Sequence, residues 1–260
     1  MSVLASSVFV LLRATEAAAA DAPTESVPEW NGTLGLSVIA VRGNAESSTL
    51  TAGGTAERIS PRWRWSAKVA ASYGQARVQV DQPPAVVALA AAAQLRADRA
   101  LSTRTALFAL AGAEMDHVKS IEHRPFGEVG LAIRWIEQKR GDDTVLLLRT
   151  DAGARYGYES RYQYYPVPLD LDDVQLFAPR IGVGFRYAIT EHVRAIEEAE
   201  ILVNVVGTDR TLATSLTRLQ AQLLGPLALS VGLQINHDSS AAAGKKPNDI
   251  IFTTGVELGF

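Results

Sequence analysis

Apolar and polar side chains alternate along segments of ten or more residues of this chain, a pattern that only extended backbone can put to use. Successive side chains of a strand point to opposite faces, whereas a helix would mix the two sets. From Arg62 to Gly74, Trp63, Trp65, Ala67, Val69, Ala71 and Tyr73 share one face. Arg62, Arg64, Ser66, Lys68, Ala70, Ser72 and Gly74 share the other. The same two-faced pattern recurs in Gly127 to Ile136, Arg180 to Tyr187, Leu227 to Asn236 and Ile250 to Phe260. Strands of soluble sandwiches are usually about five or six residues long, and transmembrane strands need about 9–11. The fold class read from this pattern is all-β: a closed antiparallel transmembrane β-barrel.

Composition agrees with that reading. Hydrophobic residues make up 47% of the 260, and the mean hydropathy is +0.06. In a barrel, lumen-facing polar residues alternate with lipid-facing apolar ones, so the average stays bland. No apolar run of about 18 residues follows the N-terminus, which excludes a spanning helix there. The net charge of -3 gives no basic footprint for nucleic acid. There is no cysteine, so disulfides, thiolate metal sites, a cysteine nucleophile and a lipidated cysteine are all excluded.

Residues 1–20 read as a signal peptide: Val3 to Leu12 is apolar, and Ala18-Ala19-Ala20 precedes Asp21 as a small-residue cleavage pattern. Residues 21–29 form a periplasmic lead-in, and 30–260 the barrel. Turn chemistry at Gly43-Asn44, Ser60-Pro61, Asp81 to Pro84, Arg140 to Asp143, Gly207 to Asp209 and Gly225-Pro226 divides the barrel region. Twelve strands result, at 30–42, 46–58, 62–78, 84–97, 102–116, 125–137, 144–158, 174–188, 192–206, 211–223, 226–237 and 249–260. An even count places both termini on the periplasmic side. The short joints then alternate with the longer ones, 159–173 and 238–248, as inner turns alternate with outer loops. Three segments, Val86 to Ala100, Glu191 to Val206 and Leu212 to Leu224, also show partial helical spacing. They are read as strands because a gap in a barrel would expose unpaired backbone to lipid. Glu197 then points outward, and Pro179 marks a bulge or a late strand start.

Two stretches carry a family resemblance. Trp30-Asn31-Gly32-Thr33-Leu34-Gly35-Leu36-Ser37 is followed by Gly43-Asn44; near the other end, Leu227 to Asn236 is followed by Lys245-Lys246-Pro247-Asn248-Asp249 and a strand closing on Phe260. Together they resemble the salt-induced outer-membrane proteins, an uncharacterised barrel family. The resemblance is faint in the middle of the chain, and its motifs are architectural. It implies a Gram-negative outer-membrane location and a link to osmotic stress, and it offers no active site. Phe252, Gly255, Val256, Leu258 and Phe260 also resemble the signal read by the barrel-assembly machinery.

The inward charges are the candidate functional residues: Arg62, Arg64, Lys68, Glu128, Arg134, Arg149, Asp151, Arg155, Arg180, Arg186 and Glu257. They suit a selectivity ladder in a narrow pore or ion pairs that fill the lumen. The size of a twelve-stranded barrel, between filled eight-stranded and open sixteen-stranded kinds, favours the filling. Trp63, Trp65, Trp135, Tyr156 and Tyr158 are expected at the membrane interface, where an amphipathic ring belongs. Tyr162, Tyr164 and Tyr165, followed by Asp170, Asp172 and Asp173, extend that cluster into the longest outer loop. Besides a girdle, they admit a sugar or lipopolysaccharide contact in which the acids hold divalent cations.

His117, His123, His192 and His237 match no metal-ligand spacing, and no Gly-x-Ser-x-Gly is present. No catalytic residue, metal or cofactor is expected. The partners expected are outer-membrane lipid, lipopolysaccharide and the assembly machinery, with no nucleic acid and a monomeric state. Two further readings are a rim hydrolase using His117 and His123, and a soluble periplasmic barrel.

Overall fold

A computed structural model describes residues 29–41, 46–77, 83–141, 143–165 and 167–260. The expected signal peptide, residues 21–28 of the lead-in and the Gly43-Asn44 turn lie outside these. The strands are β1 (Glu29–Val41), β2 (Glu46–Ile59), β3 (Trp63–Arg77), β4 (Ala85–Ala100), β5 (Thr105–Asp116), β6 (Ile121–Arg140) and β7 (Asp143–Gln163). They continue with β8 (Leu169–Asp170), β9 (Val174–Ala188), β10 (Val193–Asn204), β11 (Arg210–Leu224), β12 (Leu227–Asp238) and β13 (Asn248–Gly259). All pairings are antiparallel. The two-residue β8 pairs only with the tip of β7, through Tyr162↔Asp170 and Gln163↔Leu169. The other twelve form one sheet that closes on itself through β6–β7 and β1–β13.

The three segments with partial helical spacing are strands. Each pairs with a strand on both sides, so backbone pairing overrides local propensity. Glu197 lies on the outer face and accepts hydrogen bonds from Ser215 and Thr217 of the adjacent β11. Pro179 marks neither a bulge nor a strand start. β7 pairs with β9 without a register shift from Glu159/Val174 to Leu146/Tyr187. The β9–β10 ladder ends at Arg180/Leu202, so the missing Pro179 N–H falls beyond it.

One end of the barrel carries tight connections at 60–62, 101–104, 189–192 and 225–226, together with the Arg140–Asp143 joint; the other carries 117–120, 164–173, 205–209 and 239–247. Gly141, Gly207, Gly225 and Gly244 have positive φ at these joints, where a side chain would be strained. β6 and β7 run several residues past their expected limits toward the loop end. Ser120, at φ 64, closes a tight turn after β5, and β7 reaches into what the sequence reads as loop. Much of the tyrosine loop is therefore a hairpin standing on β7.

The two faces of the wall differ in kind. Leu34, Val69, Val129, Ile181, Ile250 and Phe252 are exposed on the outside. Arg64, Ser66, Glu128, Asp151, Arg186 and Glu257 are buried inside. Phe260 extends the β1–β13 closure by exchanging backbone bonds with Gly32, at 2.8 and 3.0 Å. Its ring covers Gly32, leaving no room there for a Cβ.

Candidate functional site in a cross-braced lumen

The interior is filled by rings and crossed by ion pairs. Phe108 and Leu110 of β5 form a buried cluster with Ala106 and Ala132, against which Phe126 of β6 packs. Gly130 and Gly153 face each other across the β6–β7 pairing beside the Phe108 ring, in space that larger residues would take. The Arg96 guanidinium lies 4.0 Å from the Phe108 ring centroid, and that of Arg155 lies 4.6 Å from Phe126. Both are cation–π distances.

Arg96 on β4 clamps Asp98 through Nε and Nη2, and reaches across β5 and β6 to Asp151 on β7 at 2.7 Å. Glu128 on β6 accepts from Arg155 at 2.8 Å and from Arg180 on β9 at 3.0 Å. Arg180 continues to Glu200 on β10 at 2.7 Å. Nearer the loop end, Glu159 on β7 is 0% exposed. It accepts from Arg124 at 2.8 Å, Arg161 at 2.5 Å and Arg210 of β11 at 3.0 Å. Arg210 also donates to Asp238 at 2.8 Å. Toward the turn end, Arg64 pairs with Glu57, Arg134 with Glu137, and Arg218 with Glu257. A buried charge survives only when paired and hydrogen-bonded, and the longest of these bonds, Arg96–Asp151 and Arg210–Glu159, tie strands three positions apart in the wall.

Of the candidate lumen charges, Arg64, Glu128, Arg134, Asp151, Arg186 and Glu257 are buried, and Lys68, Arg149, Arg155 and Arg180 line the interior cavity. Arg62 does not belong with them. It is exposed in the 60–62 turn, because β3 begins one residue later than expected. Trp63, Trp65, Trp135, Tyr156 and Tyr158 are exposed on the outside of the wall, as are Phe252, Val256, Leu258 and Phe260. Sequence reading missed Arg96, Asp98, Glu159, Arg210 and Arg218. Arg96 and Asp98 had a parity signal, masked by alanines on both faces of β4. Glu159 fell in a segment read as loop.

A cavity of about 300 Å³ runs from the middle of the lumen, at Ser66, Arg149 and Gly184, to the loop end. The segment 239–247 folds over it with Ala242 buried. That segment is held by Lys245 donating to the Tyr165 carbonyl at 3.3 Å and by Arg161 donating to the Ser240 carbonyl at 3.4 Å. Burial lowers the Lys245 pKa. Outside the wall, Asp173 accepts from the Tyr158 hydroxyl and the Arg161 N–H, and the Tyr158 bond holds its pKa down. Tyr164 is shifted upward by desolvation and by neighbouring Glu122. His117 stacks on Tyr164 at 4.0 Å, His237 bonds Asn248 at 2.7 Å, and His123 and His192 are exposed. Among the described residues, no three His, Cys, Asp or Glu are placed to hold a metal ion.

Fold and interior together define a closed twelve-stranded antiparallel β-barrel with a charge-braced lumen. Over residues 34–260 the chain matches the family described as "Protein of unknown function, DUF481", and it belongs to that family. No curated relative matches it. Among solved structures it is similar to the NanC porin, with a TM-score of 0.45 and 11% identity, covering 88% of this chain and 97% of that one. It is also similar to the translocator domain of the autotransporter NalP from Neisseria meningitidis, at 0.43 and 8%, covering 91% and 90%. A third is the outer-membrane protein OmpT of Vibrio cholerae, at 0.39 and 8%, covering 90% and 97%.

Proposed function

We propose that this barrel spans the bacterial outer membrane and serves there as a structural element or a narrow channel, with a role in salt or osmotic stress. The observation that carries the reading is the set of charge pairs packed inside the lumen, with Arg96 to Asp151 and Arg210 to Glu159 reaching between non-adjacent strands. Such bonds narrow the path for solutes and stiffen the wall. Membrane insertion is supported by the exposed apolar face of strands 12 to 21 residues long. About 9–11 residues suffice to cross, and the exposed aromatics gather toward both ends. The stress role rests on the resemblance to salt-induced outer-membrane proteins. The reading carries no catalytic step. It has lipid and lipopolysaccharide around a monomer, and the assembly machinery as its partner in folding.

Cell fractionation and graded solute entry test it. The chain should be recovered with outer membranes and show heat-dependent mobility in detergent gels. Liposomes carrying it should exclude disaccharides. Recovery as a soluble periplasmic protein would contradict the membrane reading, and free trisaccharide entry would contradict the narrow lumen.

A further inference from the structure

Almost every charge facing the loop-end cavity is held by a bonded partner. Two among the described residues are not, and they face the same space. Lys68 on β3 and Glu198 on β10 both line the cavity. Among the described residues, no hydrogen bond or ion pair reaches the Lys68 amine, and Glu198 Oε2 is buried without a hydrogen-bond partner. The other unpartnered cavity oxygens, Asp151 Oδ1 and Asp116 Oδ2, belong to carboxylates already bonded through their second oxygen. Glu198 is the carboxylate that attracts Lys68 most strongly, yet no ion pair closes between them.

An amine with three donors and a carboxylate with acceptor sites to spare, held apart across a cavity, form a two-pronged receptor. Leaving both charges unbonded in the lumen is costly. That cost is removed by a molecule carrying the complementary pair. We propose that the cavity binds a small zwitterion, its carboxylate on Lys68 and its ammonium on Glu198. The proposal rests on the narrow-lumen reading and assigns its ligand class. A volume of about 300 Å³ lies at the lower end of small-molecule pockets, about 300–1,000 Å³. Leu176, Leu202 and Leu216 on the neighbouring β9, β10 and β11 give one flank apolar character, so an apolar side chain is accommodated beside the charged ends. The surrounding Arg–Glu and Arg–Asp pairs satisfy each other and leave Lys68 and Glu198 to select.

The folded barrel in non-ionic detergent is titrated calorimetrically with leucine, with N-acetyl-leucine, which lacks the ammonium, and with leucinamide, which lacks the carboxylate. Leucine should bind, and each analogue should bind about ten- to a hundredfold more weakly, the loss expected of one charge-assisted contact. Lys68→Met should abolish the discrimination against leucinamide, and Glu198→Gln that against N-acetyl-leucine. Heat-dependent mobility confirms that each variant is folded. No leucine binding, or equal binding of all three compounds by the unaltered protein, overturns the proposal without recourse to any variant. Discrimination unchanged in both folded variants overturns it as well. Solute entry into liposomes is measured separately, so loss of the narrow-lumen reading is distinguishable from loss of the ligand.

Discussion

Where β6 meets β7, pairing runs from Ile121/Arg161 to Arg140/Asp143. Where β1 meets β13, it runs only from Thr33/Gly259 to Leu36/Val256, with Phe260 and Gly32 adding one exchange. The interiors behind these seams differ too. Behind the long seam stand Glu128, Asp151 and Glu159, each bonded to guanidiniums from other strands. Behind the short one, away from Glu57 and Glu257, stand hydroxyls: Thr33 bonds Thr55 at 2.8 Å, Ser37 donates to the Thr254 carbonyl at 2.5 Å, and Thr253 donates to the Gly232 carbonyl at 3.3 Å. A hydroxyl finds its acceptor on the adjacent strand, whereas a buried charge needs a partner that can come from a non-adjacent strand. The braced wall therefore couples distant strands. The closing wall is held by local bonds and can be altered without unpairing a charge.

Substitutions that unbalance this contrast should rank accordingly. Glu159→Leu strands three arginines in the braced wall, and the loss should be about 3–5 kcal/mol, as when one partner of a buried pair is removed. The temperature at which the compact gel band converts to the unfolded one reads it out. A loss no larger than that of a hydroxyl deletion would break the comparison. Gly255→Val comes next, at the seam. A Cβ there lies 2.7 Å from the Leu36 carbonyl oxygen, and overpacking of this kind costs about 1–3 kcal/mol. Gly184→Ala, with nothing within 4 Å of its Cβ, should leave the transition unmoved, and a comparable loss there would remove the steric explanation. Smallest is Thr33→Val, which deletes one hydroxyl pair in the closing wall. The expected loss is about 0.5–1.5 kcal/mol, and a loss matching Glu159→Leu would show that the two walls are coupled alike.

The same contrast explains what could be read from the sequence. β3, β12 and β13 present apolar side chains on the outside and polar ones to the lumen, so their alternation is plain, and the strand limits from the sequence fall close to those observed. Apolar lumen residues break the rule. Leu212 and Leu216 share the inner face of β11 with Arg210 and Arg218, and Phe108 and Leu110 do the same on β5. There, hydrophobicity no longer marks the outside. Pairing across the lumen is invisible in one dimension, because Arg96 and Asp151 lie on strands separated by two others. Arg62 was misassigned for a smaller reason: parity fixes a side chain's face only while the strand lasts, and β3 starts at Trp63.

The bonds across the lumen are tested most directly by the conductance of the purified barrel in a planar bilayer. Bracing by Arg96–Asp151 and Arg210–Glu159 predicts no steps, or steps far smaller than those of a sixteen-stranded porin in the same salt. Large, porin-like steps from the unaltered protein would contradict it.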